Sequence, residues 1–148
     1  MQIKDITDIF TDNAIKHKRT VVFHWTATNT AKEAIDYLKI RLNGKGTVGY
    51  NYIVEKNGNI FMLANPCNAW MHNSASGTEF DKNTISISFV NIGDGNFTEQ
   101  QTNAAFELVD NLKERFDIVK FTNHHILYPP KPDFPDEVWE KLKTRLKI

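Results

Sequence analysis

Two separated segments of this chain carry residues that together could hydrolyse a bond at a metal. His24 stands inside the apolar run Val21-Val22-Phe23-His24-Trp25-Thr26, and far downstream comes Asn123-His124-His125-Ile126-Leu127-Tyr128-Pro129-Pro130-Lys131-Pro132-Asp133. Two imidazoles and one carboxylate fill three positions of a tetrahedral Zn2+ site and leave the fourth open. In such a site zinc acts as a Lewis acid and lowers the pKa of water to about 7, and a nearby lysine can stabilise developing negative charge. Each residue taken alone has a plainer reading. His24 fits a core histidine bonded to a carbonyl. His124 and His125 are neighbours, so on a strand or extended loop they face opposite ways and at most one meets a given metal. The proline-dense loop fits a rigid solvated turn, although prolines also preorganise a loop that carries ligands.

The elements that must position these residues can be read from hydrophobic period. Ile3 to Ile15 carries a loose helical pattern ending by Lys16 to Arg19. Thr20 to Trp25 has the β-branched and aromatic composition of a buried strand. Thr30 can cap a helix whose apolar face is Ala31, Ala34, Ile35, Leu38 and Leu42, with Gly44 as its stop. Val48 to Val54 and Ile60 to Leu63 flank Asn57-Gly58, a strong hairpin signal because both turn residues tolerate positive φ. Ile85-Ser86-Ile87-Ser88-Phe89-Val90 alternates as a sheet strand does.

Thr98 and Gln101 have the spacing of a capping box, opening a helix with Ala105, Leu108, Leu112 and Phe116 on one face. Val119 to Thr122 reads as a last strand running into the histidine pair. A final helix begins near Pro135, with Asp136 and Glu137 in its first turn and Lys141 to Lys147 near its end, the polarity that suits the helix dipole. Strands alternating with helices predict an α/β fold, a single domain over residues 1–148 with a central mixed β-sheet flanked by helices.

Composition narrows the function classes. The chain has 148 residues, 18 Lys plus Arg against 18 Asp plus Glu, and 41% apolar residues. Zero formal charge argues against a dedicated nucleic-acid binder. The single cysteine, Cys67, excludes an intramolecular disulfide and a cysteine-rich structural zinc site. No apolar run has the length of a signal peptide or a membrane span, so synthesis as a soluble cytoplasmic chain without membrane insertion is expected.

Six short motifs, in order, carry a family resemblance from about Val21 to Trp139. These are Val22-Phe23-His24-Trp25-Thr26-Ala27-Thr28, Val48-Gly49-Tyr50-Asn51-Tyr52-Ile53-Val54 through Gly58, Asn68-Ala69-Trp70-Met71-His72, Asn83 to Asn91, Phe97-Thr98-Glu99-Gln100-Gln101, and Asn123-His124 with Lys131-Pro132-Asp133. The set resembles the zinc-dependent N-acetylmuramoyl-L-alanine amidases, the group that includes T7-type phage lysozymes and peptidoglycan recognition proteins.

The resemblance implies that His24, His124 and Asp133 hold Zn2+, with His125 the alternative to His124. It implies that Tyr50 and Lys131 are catalytic and that Trp70, His72 and Trp25 touch substrate. Ser88 occupies the central-strand position where cytosolic recycling amidases of the family carry a glutamate base. That departure favours the tyrosine-and-lysine type of mechanism. Ser86 stands where glycine is common, and Ile126 replaces an acidic residue common two places after the second ligand. The implied reaction is hydrolysis of the amide between N-acetylmuramic acid and L-alanine, by an endolysin-like monomer that reaches the cell wall after phage-type release. The competing readings are a muropeptide-recycling amidase and a non-catalytic peptidoglycan-binding module.

Overall fold

The computed structural model describes residues 1–7, 18–42, 49–66 and 83–148, and of 41 and 42 the backbone only. Its elements are β1 (Ile3–Asp5), β2 (Thr20–Trp25), α1 (Ala31–Leu42), β3 (Tyr52–Val54), β4 (Ile60–Met62), β5 (Thr84–Phe89), α2 (Glu99–Arg115), β6 (Lys120–Asn123), α3 (His124–Leu127) and α4 (Asp136–Leu146). One six-stranded mixed sheet has the order β1-β4-β3-β5-β2-β6. Among the described residues only the β3–β4 hairpin pairs antiparallel; β1–β4, β3–β5, β5–β2 and β2–β6 are all parallel.

The sheet is covered on both faces, as parallel sheets require. Along β3, Tyr52 and Val54 join the core shared with α2 and α4, while Ile53 joins the core shared with α1. That split is the alternation of a pleated strand. It also explains β5. The Ile-Ser alternation suggests a strand with one wet face, yet all six of its residues are buried. Ile85, Ile87 and Phe89 enter the larger core, and Ser86 and Ser88 lie on the opposite, equally covered face.

Local signals account for several elements. Thr30 Oγ1 accepts from the Glu33 amide while the Glu33 carboxylate accepts from the Asn29 amide, fixing the start of α1. The Thr98/Gln101 capping box is present at α2. Gln101 does more than cap. Its buried Nε2 donates to the carbonyls of Val54 and Val90, tying α2 to the ends of two neighbouring strand segments. Ala105, Leu108 and Leu112 then bury the face of α2 expected from their spacing.

The N-terminal reading needs correction. Ile3–Asp5 is not the start of a helix but an edge strand, paired with Ile60, Phe61 and Met62. So few residues carry no periodicity of their own, and partnership with β4 decides their state. Residues 8–17, which include the rest of the helical stretch expected up to Ile15, lie outside the described residues, as do Gly44 and Val48. The strand expected from Val48 begins only at Tyr52, because Asn51 uses its side chain as a stitch: Oδ1 accepts from the Ser86 amide and Nδ2 donates to the Ala64 carbonyl. Among the described residues, no helix is long and apolar enough to cross a membrane.

Candidate metal centre

β2 and β6 are adjacent, parallel and in register at Phe23 and Asn123. The next residue in each case is a histidine, His24 still within β2 and His124 the first residue of α3, so the two arrive side by side at the carboxyl end of the sheet. Ligands of open α/β sheets are characteristically bound at that end. Alternation turns His24 away from the Phe23 side and toward the α1 side, where its ring lies 5.3 Å from that of Tyr50.

The histidine pair differs from the extended arrangement expected of it. Asn123 ends β6 and caps the one-turn helix α3, its Oδ1 accepting from the Ile126 amide at 2.8 Å. A helical turn separates the two imidazoles by direction. His124 turns toward His24, the ring centroids lying 4.7 Å apart edge to face. His125 turns the other way, and its Nδ1 lies 2.5 Å from the Lys131 carbonyl. The two neighbours thus divide the work, one facing the cluster and one holding the loop that carries Lys131 and Asp133.

Asp133 completes the cluster. Its Oδ2 lies 3.6 Å from His24 Nδ1 and 3.4 Å from His124 Nδ1, and one potential ligand atom from each residue falls within 4.8 Å of the others. Donors about 2.0–2.1 Å from a tetrahedral ion sit roughly 3.3–3.4 Å from one another, and an ordinary N–H···O bond is about 2.7–3.2 Å. The observed spacings therefore fit donors arranged around an ion better than donors bonded to each other. Two borderline nitrogen donors and one carboxylate are also a set that suits zinc. The residues present fit the metal.

Burial sharpens the electrostatics. His24 is 2% exposed and Asp133 5%. Burial alone would raise the Asp133 pKa, but the contacts and charges of His124 and His24 outweigh it and hold the carboxyl well below the usual carboxylate range. Asp133 is thus poised as an anionic donor at any ordinary pH.

The cluster opens into a cavity of about 690 Å³ whose walls include Trp25, Tyr50, Tyr128 and Lys131. Tyr50 and Lys131 are therefore brought to the same cavity as the three donors. Trp25 also borders it, but the residue is only 6% exposed and its ring packs 5.4 Å from that of Phe134, so most of it belongs to the core. Trp70 and His72 lie outside the described residues.

Three wall residues escaped the reading of the sequence. Thr26 and Thr28 join their hydroxyls at 2.8 Å on the loop after β2. Tyr37 comes from α1 and is 60% exposed. Its signal was available: it is an aromatic lying off the apolar face defined by Ala34, Ile35 and Leu38. Ser88 pairs in register with His24 and so shares its face of the sheet. Its buried Oγ has no protein partner among the described residues, and no carboxylate stands at this position.

Fold and cluster define an α/β protein with a three-donor candidate metal site at the carboxyl ends of parallel strands. Residues 14–137 match the family model described as N-acetylmuramoyl-L-alanine amidase, and the chain belongs to that family. Solved structures with the same fold include the N-acetylmuramoyl-L-alanine amidase endolysin LysCS from Clostridium intestinale URNW, with TM-score 0.77 and 19% identity over 99% of this chain and 96% of that one. The Ph2119 endolysin from the Thermus scotoductus MAT2119 bacteriophage Ph2119 gives 0.74 and 18%, over 97% and 98% of the two chains. Apis mellifera PGRP-SA gives 0.73 and 17%, over 96% and 94%. No curated protein sequence matches the chain.

Proposed function

We propose that this protein is a zinc-dependent amidase that cleaves the bond between N-acetylmuramic acid and L-alanine in peptidoglycan, with His24, His124 and Asp133 holding the ion. The observation that carries the reading is the donor triangle, whose Asp133 edges of 3.4 and 3.6 Å match a tetrahedral site opening into a large cavity. Family membership supplies the bond that is cut. When bound, zinc supplies Lewis acidity that polarises the amide carbonyl and makes water a competent nucleophile near neutral pH.

The chain's own groups divide the remaining work. The Lys131 ammonium, on a loop whose carbonyl meets His125, stabilises negative charge developing on the carbonyl oxygen. The Tyr50 hydroxyl, on the cavity wall beside His24, adds a second donor to that oxygen and relays a proton, passing its own to the departing amine and regaining one from the attacking water. Ser88 cannot act as a general base at neutral pH, so the chemistry does not draw on the central strand. Trp70 and His72 are assigned to substrate contact, together with the exposed edge of Trp25.

The preferred setting is lysis of intact wall in the manner of an endolysin, supported by the likeness to LysCS and the Ph2119 endolysin. Ser88 counts against a muropeptide-recycling role. The fold is shared with PGRP-SA, which keeps a binding-only module in play, and the complete donor set counts against it. Purified protein treated with chelator and then given zinc should lose and regain the ability to clear a suspension of purified cell walls. New amino termini on L-alanine should appear in step with clearing. Wall binding with no release of amino termini, with zinc present, would sink the enzymatic reading.

A further inference from the structure

Phe134, the residue after Asp133, has φ +65°, a left-handed conformation that a bulky side chain rarely adopts. The residue after it is Pro135, which disfavours the right-handed helical region for its predecessor and leaves extended backbone as the default. Phe134 takes neither. Such outliers persist only where the surroundings over-determine them, and they gather at sites where geometry matters.

The surroundings here are explicit. Phe134 is 0% exposed. Its ring stacks on Phe97 at 5.8 Å and meets Trp25 at 5.4 Å, with Phe89 and Trp139 each at 6.1 Å. These four partners come from β2, β5, the loop before α2, and α4. The ring therefore sits in the larger core while the adjacent Asp133 carboxylate faces His24 and His124.

We propose that Phe134 is the positioning residue of the metal centre. Its ring, seated in the aromatic cluster, holds the backbone in the left-handed turn that aims Asp133 at the two imidazoles. The inference rests on the metal reading above and adds to it a cause for the third donor's direction. It also explains why a chain segment with no regular structure can place a ligand accurately.

Leucine and isoleucine at position 134 separate this from simple core filling. The two side chains have equal volume and hydrophobicity, so each leaves the same small void in the cluster and costs the core alike. Only isoleucine is β-branched and strongly resists positive φ. Zinc affinity of the chelator-stripped protein is read by competition with a chromophoric chelator, well below the melting temperature of each variant. Phe134→Leu should bind zinc within about threefold of wild type, and Phe134→Ile should bind about 10- to 100-fold more weakly, the range for losing a partner that orients a ligand. The same pair of changes at Phe97, in the same cluster but not bonded to a ligand, should leave affinity alike. A Phe134→Ile variant that binds zinc as tightly as wild type would overturn the inference while leaving the metal reading intact. A wild-type protein that takes up no zinc would overturn both.

Discussion

Phe23 and Asn123 are partners in register across parallel strands β2 and β6. That one pairing sets His24 beside His124, because His24 follows Phe23 within β2 and His124 follows Asn123 as the first residue of α3. A slip of one residue would turn a strand's side chains to the other face and separate the two imidazoles.

The division between the adjacent histidines is directly testable. His124→Ala, like His24→Ala or Asp133→Ala, should lose bound zinc and reduce wall lysis to background. His125→Ala should keep zinc, since its ring meets the Lys131 carbonyl and not the donor cluster. Its turnover should fall by up to about 10²-fold, as a loss of loop positioning can cost, with bound zinc unchanged. Metal analysis of the four purified variants checks this, and zinc lost from the His125 variant but kept by the His124 variant would reverse the assignment.

Lys131→Ala separates chemistry from metal binding. Zinc content should stay near one per chain while kcat falls about 10²- to 10³-fold, the usual effect of removing one donor to a developing oxyanion. Normal turnover in this variant would remove Lys131 from the mechanism.

The metal-free protein should lose stability on acidification because of Asp133. Its carboxyl titrates below the range of an unfolded aspartate, about 3.9, so over the intervening pH the native state binds fewer protons than the unfolded chain. The stabilisation is present above that value and is lost as pH falls through the carboxylate range toward the folded pKa. Urea midpoints of chelated protein between pH 6 and pH 3 should therefore drop more steeply for wild type than for Asp133→Asn. Parallel curves would show that Asp133 contributes no such linkage.

Gly95 is a structural control. It has φ +74°, and a Cβ there would meet Val138 Cγ2 of α4 at 2.6 Å. Gly95→Ala should destabilise by about 1–3 kcal/mol through crowding and backbone strain, with zinc affinity unchanged. Pairing it with Val138→Ala should recover part of that loss in thermal melts by relieving the crowding alone.

Much of this protein was decided by local signals that any reader of the chain can weigh. Periodicity and capping residues mark α1, α2 and α4, and Asn57-Gly58 marks the β3–β4 hairpin, because each depends on neighbours a few positions away. The chemical types were equally plain: His24 and Asp133 as donors and Lys131 as a cation stand out by chemistry and order. What the sequence left open depended on partners distant along the chain. The state of Ile3–Asp5 waited on β4, and the burial of both faces of β5 waited on the layers packed over it. The choice between His124 and His125 waited on Asn123, whose cap bends the chain into α3 and parts two side chains that an extended reading could not rank. Asp133 is the clearest case. Its residue type made it a candidate donor, but its aim follows from a turn at Phe134 that only an assembled aromatic core can hold.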